Sequence, residues 1–175
     1  MEELIKKAQK GDTEAFTQIV LELENELYKI AKTRLTNESD IQDAIQETMI
    51  ETFKSIKKLR DQKKLKKWLI KILINKCNRI YKKKYKKDIS IDEYNLENYI
   101  ILNDYKNIED DLDFYRLIKI LKYEERIIII LYYMEQYTVS EIKTILGINE
   151  NTIRTHLFRA RQKIKDNYKG EIKNG

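Results

Sequence analysis

From its first residues the chain places apolar side chains three and four positions apart. Leu4, Ile5 and Ala8 begin the pattern, and Ala15, Phe16, Ile19, Val20, Leu23, Leu27 and Ile30 continue it. That spacing collects them on one side of an α-helix and predicts helical structure with this side turned to a core. Ser39 followed by Gln42 has the form of a capping box, and Asp40 suits the positive end of a helix dipole. A new helix is therefore predicted from there to about Leu59, with Ile41, Ala44, Ile45 and Thr48 inward. Asp40, Asp43, Gln46 and Glu47 then form an acidic stripe on its other side. A further helix starts near Leu65, where Trp68, Leu69, Ile72, Leu73 and Ile80 mark its buried side. Its opposite side carries Lys67, Lys71, Asn75, Asn78 and Lys82, cations and amides that suit phosphates and base edges.

The second half carries a sharper pattern. Leu117–Tyr133 is strongly apolar with helical period. Thr138 or Ser140 can then cap a short helix containing Glu141, Ile142, Ile145 and Leu146. Gly147 permits the left-handed conformation that ends a helix, and Asn149 is a good cap for the next one. On this third helix Ile153, Leu157, Ala160 and Ile164 share one side, leaving Asn151, Thr155, Phe158 and Gln162 outward between Arg154 and Arg159. The pattern is a helix-turn-helix whose outward face has the polarity of a major-groove reader.

Composition narrows the fold class. There is no proline and there are 4 glycines in 175 residues, too little turn punctuation for a β-rich fold, while 42% apolar content suffices for packed cores. No apolar run reaches the roughly 18 residues of a membrane span, and Glu2 and Glu3 do not suit a signal peptide; a cytoplasmic protein without membrane insertion is expected. One cysteine, Cys77, and one histidine, His156, cannot build a tetrahedral zinc site, so no metal or cofactor is expected. Cys77 reads as a small buried hydrophobe or as a redox-sensing thiol, and His156 as structural or as a phosphate contact.

Charge changes the picture more. Residues 1–56 hold 7 basic and 12 acidic groups, residues 57–87 hold 15 and 1, residues 88–113 hold 1 and 9, and residues 114–175 hold 12 and 7. A segment this basic repels itself unless a polyanion covers it or it stays solvated and extended. Nucleic acid is the leading partner. By itself the acidic stripe reads as an ordinary solvated face. No nucleophile or metal pattern accompanies it, which argues against a nuclease or another acid–base enzyme.

Several motifs together resemble one family. Gly11-Asp12, Ala15-Phe16, the run Asp40-Ile41-Gln42-Asp43-Ala44-Ile45-Gln46-Glu47, and Trp68-Leu69 with Asn75 match the N-terminal domain of small sigma-70 family RNA polymerase sigma factors of the extracytoplasmic-function (ECF) type. Arg126-Ile127-Ile128, Val139-Ser140-Glu141-Ile142, Leu146-Gly147-Ile148-Asn149, Thr152-Ile153 and Arg159-Ala160-Arg161 match their C-terminal domain. The resemblance implies an all-α fold of two small helical domains joined by a linker: region 2 over 1–87, an acidic linker over 88–112, and region 4 over 113–175. It also implies a non-catalytic chain that directs core RNA polymerase to promoter DNA.

The resemblance assigns roles residue by residue. Asp40, Asp43, Gln46 and Glu47 would dock on the clamp helices of the largest polymerase subunit, with the polymerase flap as a second contact. Lys63, Lys64, Lys67, Lys71, Asn75, Asn78, Arg79 and Lys82 would take the minus-ten element as separated strand. Asn151, Thr152, Arg154, Thr155, Phe158, Arg159 and Arg161 would read the minus-thirty-five duplex. An anti-sigma factor is an expected partner. The chain departs from the pattern at Arg79 and Lys82, where Asp and Arg are usual, and at Lys143 and His156. The competing reading is a helix-turn-helix regulator that binds operator DNA without polymerase.

Overall fold

The computed structural model describes residues 1–84, 117, 118 and 120–174, with side chains as far as Asn167. The chain divides into two compact units, Met1–Asp92 and Glu93–Gly175. Among the described residues every regular element is helical, as expected of an all-α chain. The acidic linker predicted over 88–112 lies outside the described residues.

The first unit contains α1 (Glu2–Gln9), α2 (Thr13–Lys32), α3 (Glu38–Ser55) and α4 (Leu65–Lys84), with short 3-10 turns at Ile56–Lys58 and Gln62–Lys64. The continuous apolar period of the N-terminal segment is interrupted by Gly11, whose φ of 100° lies where a side chain is strained. Asp12 restarts the helix by accepting from the Ala15 N–H at 3.0 Å. Ile5, Ile19, Leu27, Ile30, Ile41 and Leu73 are almost fully buried where α2, α3 and α4 pack on one another and α1 packs on α2. Each such side chain contributes about 1.5–3 kcal/mol relative to exposure. Thr48 and Thr52 are buried in the same core, and their hydroxyls donate back to Ala44 O (2.7 Å) and Thr48 O (2.8 Å).

Two expectations for this unit are corrected. The cap of α3 is Asn37, which accepts from the Asp40 N–H at 3.3 Å. Ser39 already lies inside the helix, and Gln42 donates instead to Glu38 at 3.4 Å. Asn37 wins because its extended backbone aims its amide oxygen at the free N–H groups of the first turn. Trp68 is half-buried at the margin of the apolar face and does not sit within the core. Cys77 is buried, and burial pushes its thiol up to about 12, as a packed hydrophobe rather than a reactive thiolate requires.

The second unit contains α5 (Tyr123–Ile129), extended by a π turn at Ile130–Met134, then α6 (Val139–Leu146) and α7 (Glu150–Asn174). The apolar run Leu117–Tyr133 is not one helix. The chain turns at Ile120–Lys122, and α5 restarts when the Glu125 carboxylate accepts from the Lys122 N–H at 2.9 Å. The Ile127–Leu131 run is buried, as are Ile142, Ile145, Ile153, Leu157 and Ala160 opposite it.

Candidate nucleic-acid interface

α3 and α4 carry the candidate residues of the first unit. Asp43 and Gln46 are exposed on α3 and Glu47 is half-exposed. Asp40 is not part of that surface: it is buried to 1% exposure and bonded by the Lys84 ammonium at the end of α4. Its position on the first turn of α3 rotates it toward α4, where the long lysine stem reaches it, so the stripe begins at Asp43. Glu47 is also engaged within the chain, by Arg79 and at 3.7 Å by Lys76, which in turn pairs with Glu51 at 2.5 Å.

The cationic side of α4 forms as the spacing predicts. Lys71, Asn75, Arg79 and Lys82 are exposed, with half-buried Lys67 and Asn78 on the same side, because Leu65, Leu69, Ile70, Leu73 and Cys77 occupy the other. Lys63 and Lys64 are exposed on the turn before α4, and Lys64 lies 3.3 Å from Asp61. The sequence reading missed Ile50 and Phe53, which are 47% and 40% exposed and continue the face of Asp43 and Gln46 along α3. Phe53 meets Phe16 edge-on, ring centroids 5.0 Å apart. Apolar residues seven and ten positions after Asp43 break the polar stripe, and that break was the available signal.

The helix-turn-helix has the predicted punctuation. Of the two candidate caps Thr138 is used: its hydroxyl accepts from the Glu141 N–H at 3.3 Å, and Glu141 accepts from the Thr138 N–H at 2.9 Å. Gly147 adopts φ 70° and donates to Lys143 O at 2.8 Å, closing α6. Asn149 Oδ1 accepts from the Asn151 N–H at 2.8 Å and opens α7.

On α7 the candidate residues Asn151, Thr152, Arg154, Thr155, Phe158, Arg159 and Arg161 are all exposed. Phe158 stands 61% exposed, an apolar ring in water. The Thr155 hydroxyl donates to Asn151 O at 2.8 Å, so its methyl and lone pairs remain to face a ligand. Arg161 donates from Nε to Leu157 O at 3.1 Å, which draws its stem along its own helix, and Arg154 lies 3.8 Å from Glu150.

α7 is tied to α5 by an ion pair with one buried end. Glu125 of α5, 2% exposed, accepts from Lys163 at 2.8 Å. Burial pushes its carboxyl pKa up, but the hydrogen bonds from Lys163 and the Lys122 N–H outweigh this and hold it below the usual glutamate value. His156 is half-buried on the same helix. Among the described residues no group of His, Cys, Asp and Glu could hold a metal ion, and no helix is long and apolar enough to cross a membrane.

Comparison with known proteins gives the same division. The family description Sigma-70 region 2 matches residues 19–87, and Sigma-70, region 4 matches residues 111–164. The RNA polymerase sigma factor SigV of Bacillus subtilis is 29% identical over 135 residues, covering 77% of this chain and 80% of SigV. The ECF RNA polymerase sigma factor SigW of the same organism is 29% identical over 176 residues, covering 92% of each. Among solved structures, CnrH in complex with the cytosolic domain of CnrY superposes with a TM-score of 0.67 at 19% identity, covering 95% of this chain and 96% of CnrH. The sigma factor RpoE in complex with the anti-sigma factor NepR from Bartonella quintana gives 0.63 at 22% identity, covering 88% and 96%. Both superpositions agree on an all-helical fold. With matches to both characteristic regions, in order, spanning more than half its length, the chain belongs to the sigma-70 family of RNA polymerase sigma factors and is of the ECF type.

Proposed function

We propose that this alternative sigma factor docks on core RNA polymerase through the outer face of α3, captures the minus-ten element with Lys57–Lys84, and reads the minus-thirty-five duplex with α7. The observation that carries the proposal is the pair of cation-and-amide faces, on α4 and on α7, in separate compact units of one chain. Each has a packed apolar side that decides which residues face outward. In the first unit Asp43, Gln46 and Glu47 supply the docking carboxylates and amide, and Ile50 and Phe53 continue that face with apolar contact area. The clamp helices and flap of the polymerase are the surfaces assigned to the two units.

A magnitude explains why the polymerase is needed. Opening about a dozen base-pair steps at roughly 1.4 kcal/mol each costs about 17 kcal/mol. A few stacked bases at about 1–3 kcal/mol apiece do not cover that cost. The chain captures a strand that it and the polymerase open together, and bond formation belongs to the polymerase. The units 1–87 and 113–175 act on either side of the acidic segment 88–112, whose charge repels phosphate. Work of this kind takes place in the bacterial cytoplasm, on the nucleoid when the factor is active. An anti-sigma factor covering these faces is a further proposed partner, in keeping with the RpoE–NepR complex.

Reconstituted transcription tests the proposal. Core polymerase with this chain should initiate at promoters with two separate boxes, and core polymerase alone should not. Tight binding of the free chain to one palindromic duplex, with no effect on polymerase, would replace this reading with the operator-binding regulator.

A further inference from the structure

We propose that Gln9 is a positioning residue for the promoter-reading loop: its side-chain amide, reaching across from α1, holds the backbone of the basic loop 57–64 in its capturing shape. The inference rests on the assignment of that loop to the minus-ten strand. Gln9 Nε2 donates to Ile56 O at 3.1 Å and to Leu59 O at 2.7 Å, using both amide hydrogens on carbonyls 47 and 50 residues away. These carbonyls lie just past the end of α3, and of the two Ile56 O also accepts from the Leu59 N–H.

The loop needs an outside tether. Lys57, Lys58, Arg60, Lys63 and Lys64 are all exposed within it, against Asp61 as the one acid, so like charges push it apart. Its own supports are local: Leu59 N–H to Ile56 O at 3.0 Å, Lys64 N–H to Asp61 O at 3.0 Å, and Lys63 N–H to the Asp61 carboxylate at 3.1 Å. Gln9 alone among these bonds comes from another helix. Nor is it needed to hold α1 in place, because Ile5 and Ala8 are buried to 0% and 1% exposure and anchor that helix. Leu59 is half-buried, so water can reach its carbonyl when the amide is lost, while the buried Ile56 O still accepts from the Leu59 N–H at 3.0 Å. Loss of the amide should therefore loosen the loop while the fold persists, which removes preorganisation from strand capture. α1 also precedes residue 19, where the match to region 2 begins.

The test uses holoenzyme assembled with Gln9→Glu, which keeps the shape but donates nothing, and with Gln9→Leu, a strong helix former without polar atoms. Single-round transcription is measured on promoters varied one base at a time through the minus-ten box. Both variants should assemble with core polymerase and keep their dependence on the minus-thirty-five box. Their preference for the best minus-ten base over the others should fall about two- to tenfold, the scale of one hydrogen bond. A purely structural role would lower all promoters together and leave that ratio unchanged, and this result overturns the inference. Lys63→Ala with Lys64→Ala is run alongside. If that pair leaves minus-ten use intact, the loop is not the reader and the underlying assignment fails. If it impairs minus-ten use while both Gln9 variants keep full preference, the assignment stands and the inference about Gln9 fails.

Discussion

The guanidinium of Arg79 on α4 donates to the carboxylate of Glu47 on α3, so a residue assigned to DNA and one assigned to the polymerase are each other's partners. The pair gives Arg79, where the family usually has aspartate, an ionic partner within its own unit. Both side chains are well exposed, 62% and 42%, and such pairs contribute about 0–1 kcal/mol. A docking partner can therefore displace the pair at small cost. Arg79→Ala and Glu47→Gln should each change unfolding free energy by no more than about 1 kcal/mol. Asp43→Lys combined with Glu47→Lys should abolish co-purification with core polymerase at unchanged helical content, and normal holoenzyme assembly would refute α3 as the docking face.

Asp40 should behave differently from its neighbours on the same helix. It is buried against Lys84, so Asp40→Ala is expected to cost about 1–3 kcal/mol of stability without weakening polymerase binding by the molecules that stay folded. Urea unfolding followed by Trp68, the one tryptophan in the chain and a reporter of this unit, measures the first. Titration against core polymerase at low temperature measures the second. A stable variant that fails to bind would return Asp40 to the docking surface.

On α7, Arg154 and Arg159 should divide the labour. Arg154→Ala is expected to cost about 1–3 kcal/mol and to relax selectivity at one base of the upstream box. Arg159→Ala should weaken all sequences alike and reduce the salt slope by about one. Thr155 and Phe158 lie beside Arg154, where a methyl and an exposed ring can meet thymine methyl groups. Promoter-variant transcription across a salt series checks all of these, and full activity with unchanged base preference in both alanine variants would remove α7 as the reader.

Glu125 links the second unit to pH. Its folded carboxyl titrates below its ordinary value of 4.5, so the stability it contributes is fully present above that value and is lost as pH falls through the folded one. Urea titrations at pH 7 and at pH 4 and below, followed by the NMR signals of Ile127 and Leu157, should show this unit weakening in the acid range. Lys163→Met removes the principal hydrogen bond, leaves burial to push the carboxyl back up, and should shrink that acid loss. Glu125→Gln should flatten the dependence. An acid response of wild type and Glu125→Gln that coincides would assign it to other carboxylates.

Much of this molecule is legible in the linear pattern. Helical period alone separates Ile153, Leu157 and Ala160 from Arg154, Thr155 and Phe158, because a side chain's direction on a helix follows from its number in the chain. The caps at Thr138, Gly147 and Asn149 are legible for a similar reason, as each acts on backbone within a few residues. The cationic side of α4 follows from the same rule. What period cannot supply is where a helix face points once several helices have packed, and the tertiary structure decided those points. Asp40 and Asp43 are one turn apart on one stripe, yet α4 approaches only the first and buries it under Lys84. Ile50 and Phe53 carry core-type residues to the surface, where among the described contacts only the edge of Phe16 meets Phe53. Gln9 meets Ile56 and Leu59 across some fifty residues, and Lys163 meets Glu125 across 38. Contacts of that separation leave no local trace, since either partner alone is an ordinary polar residue on an ordinary helix.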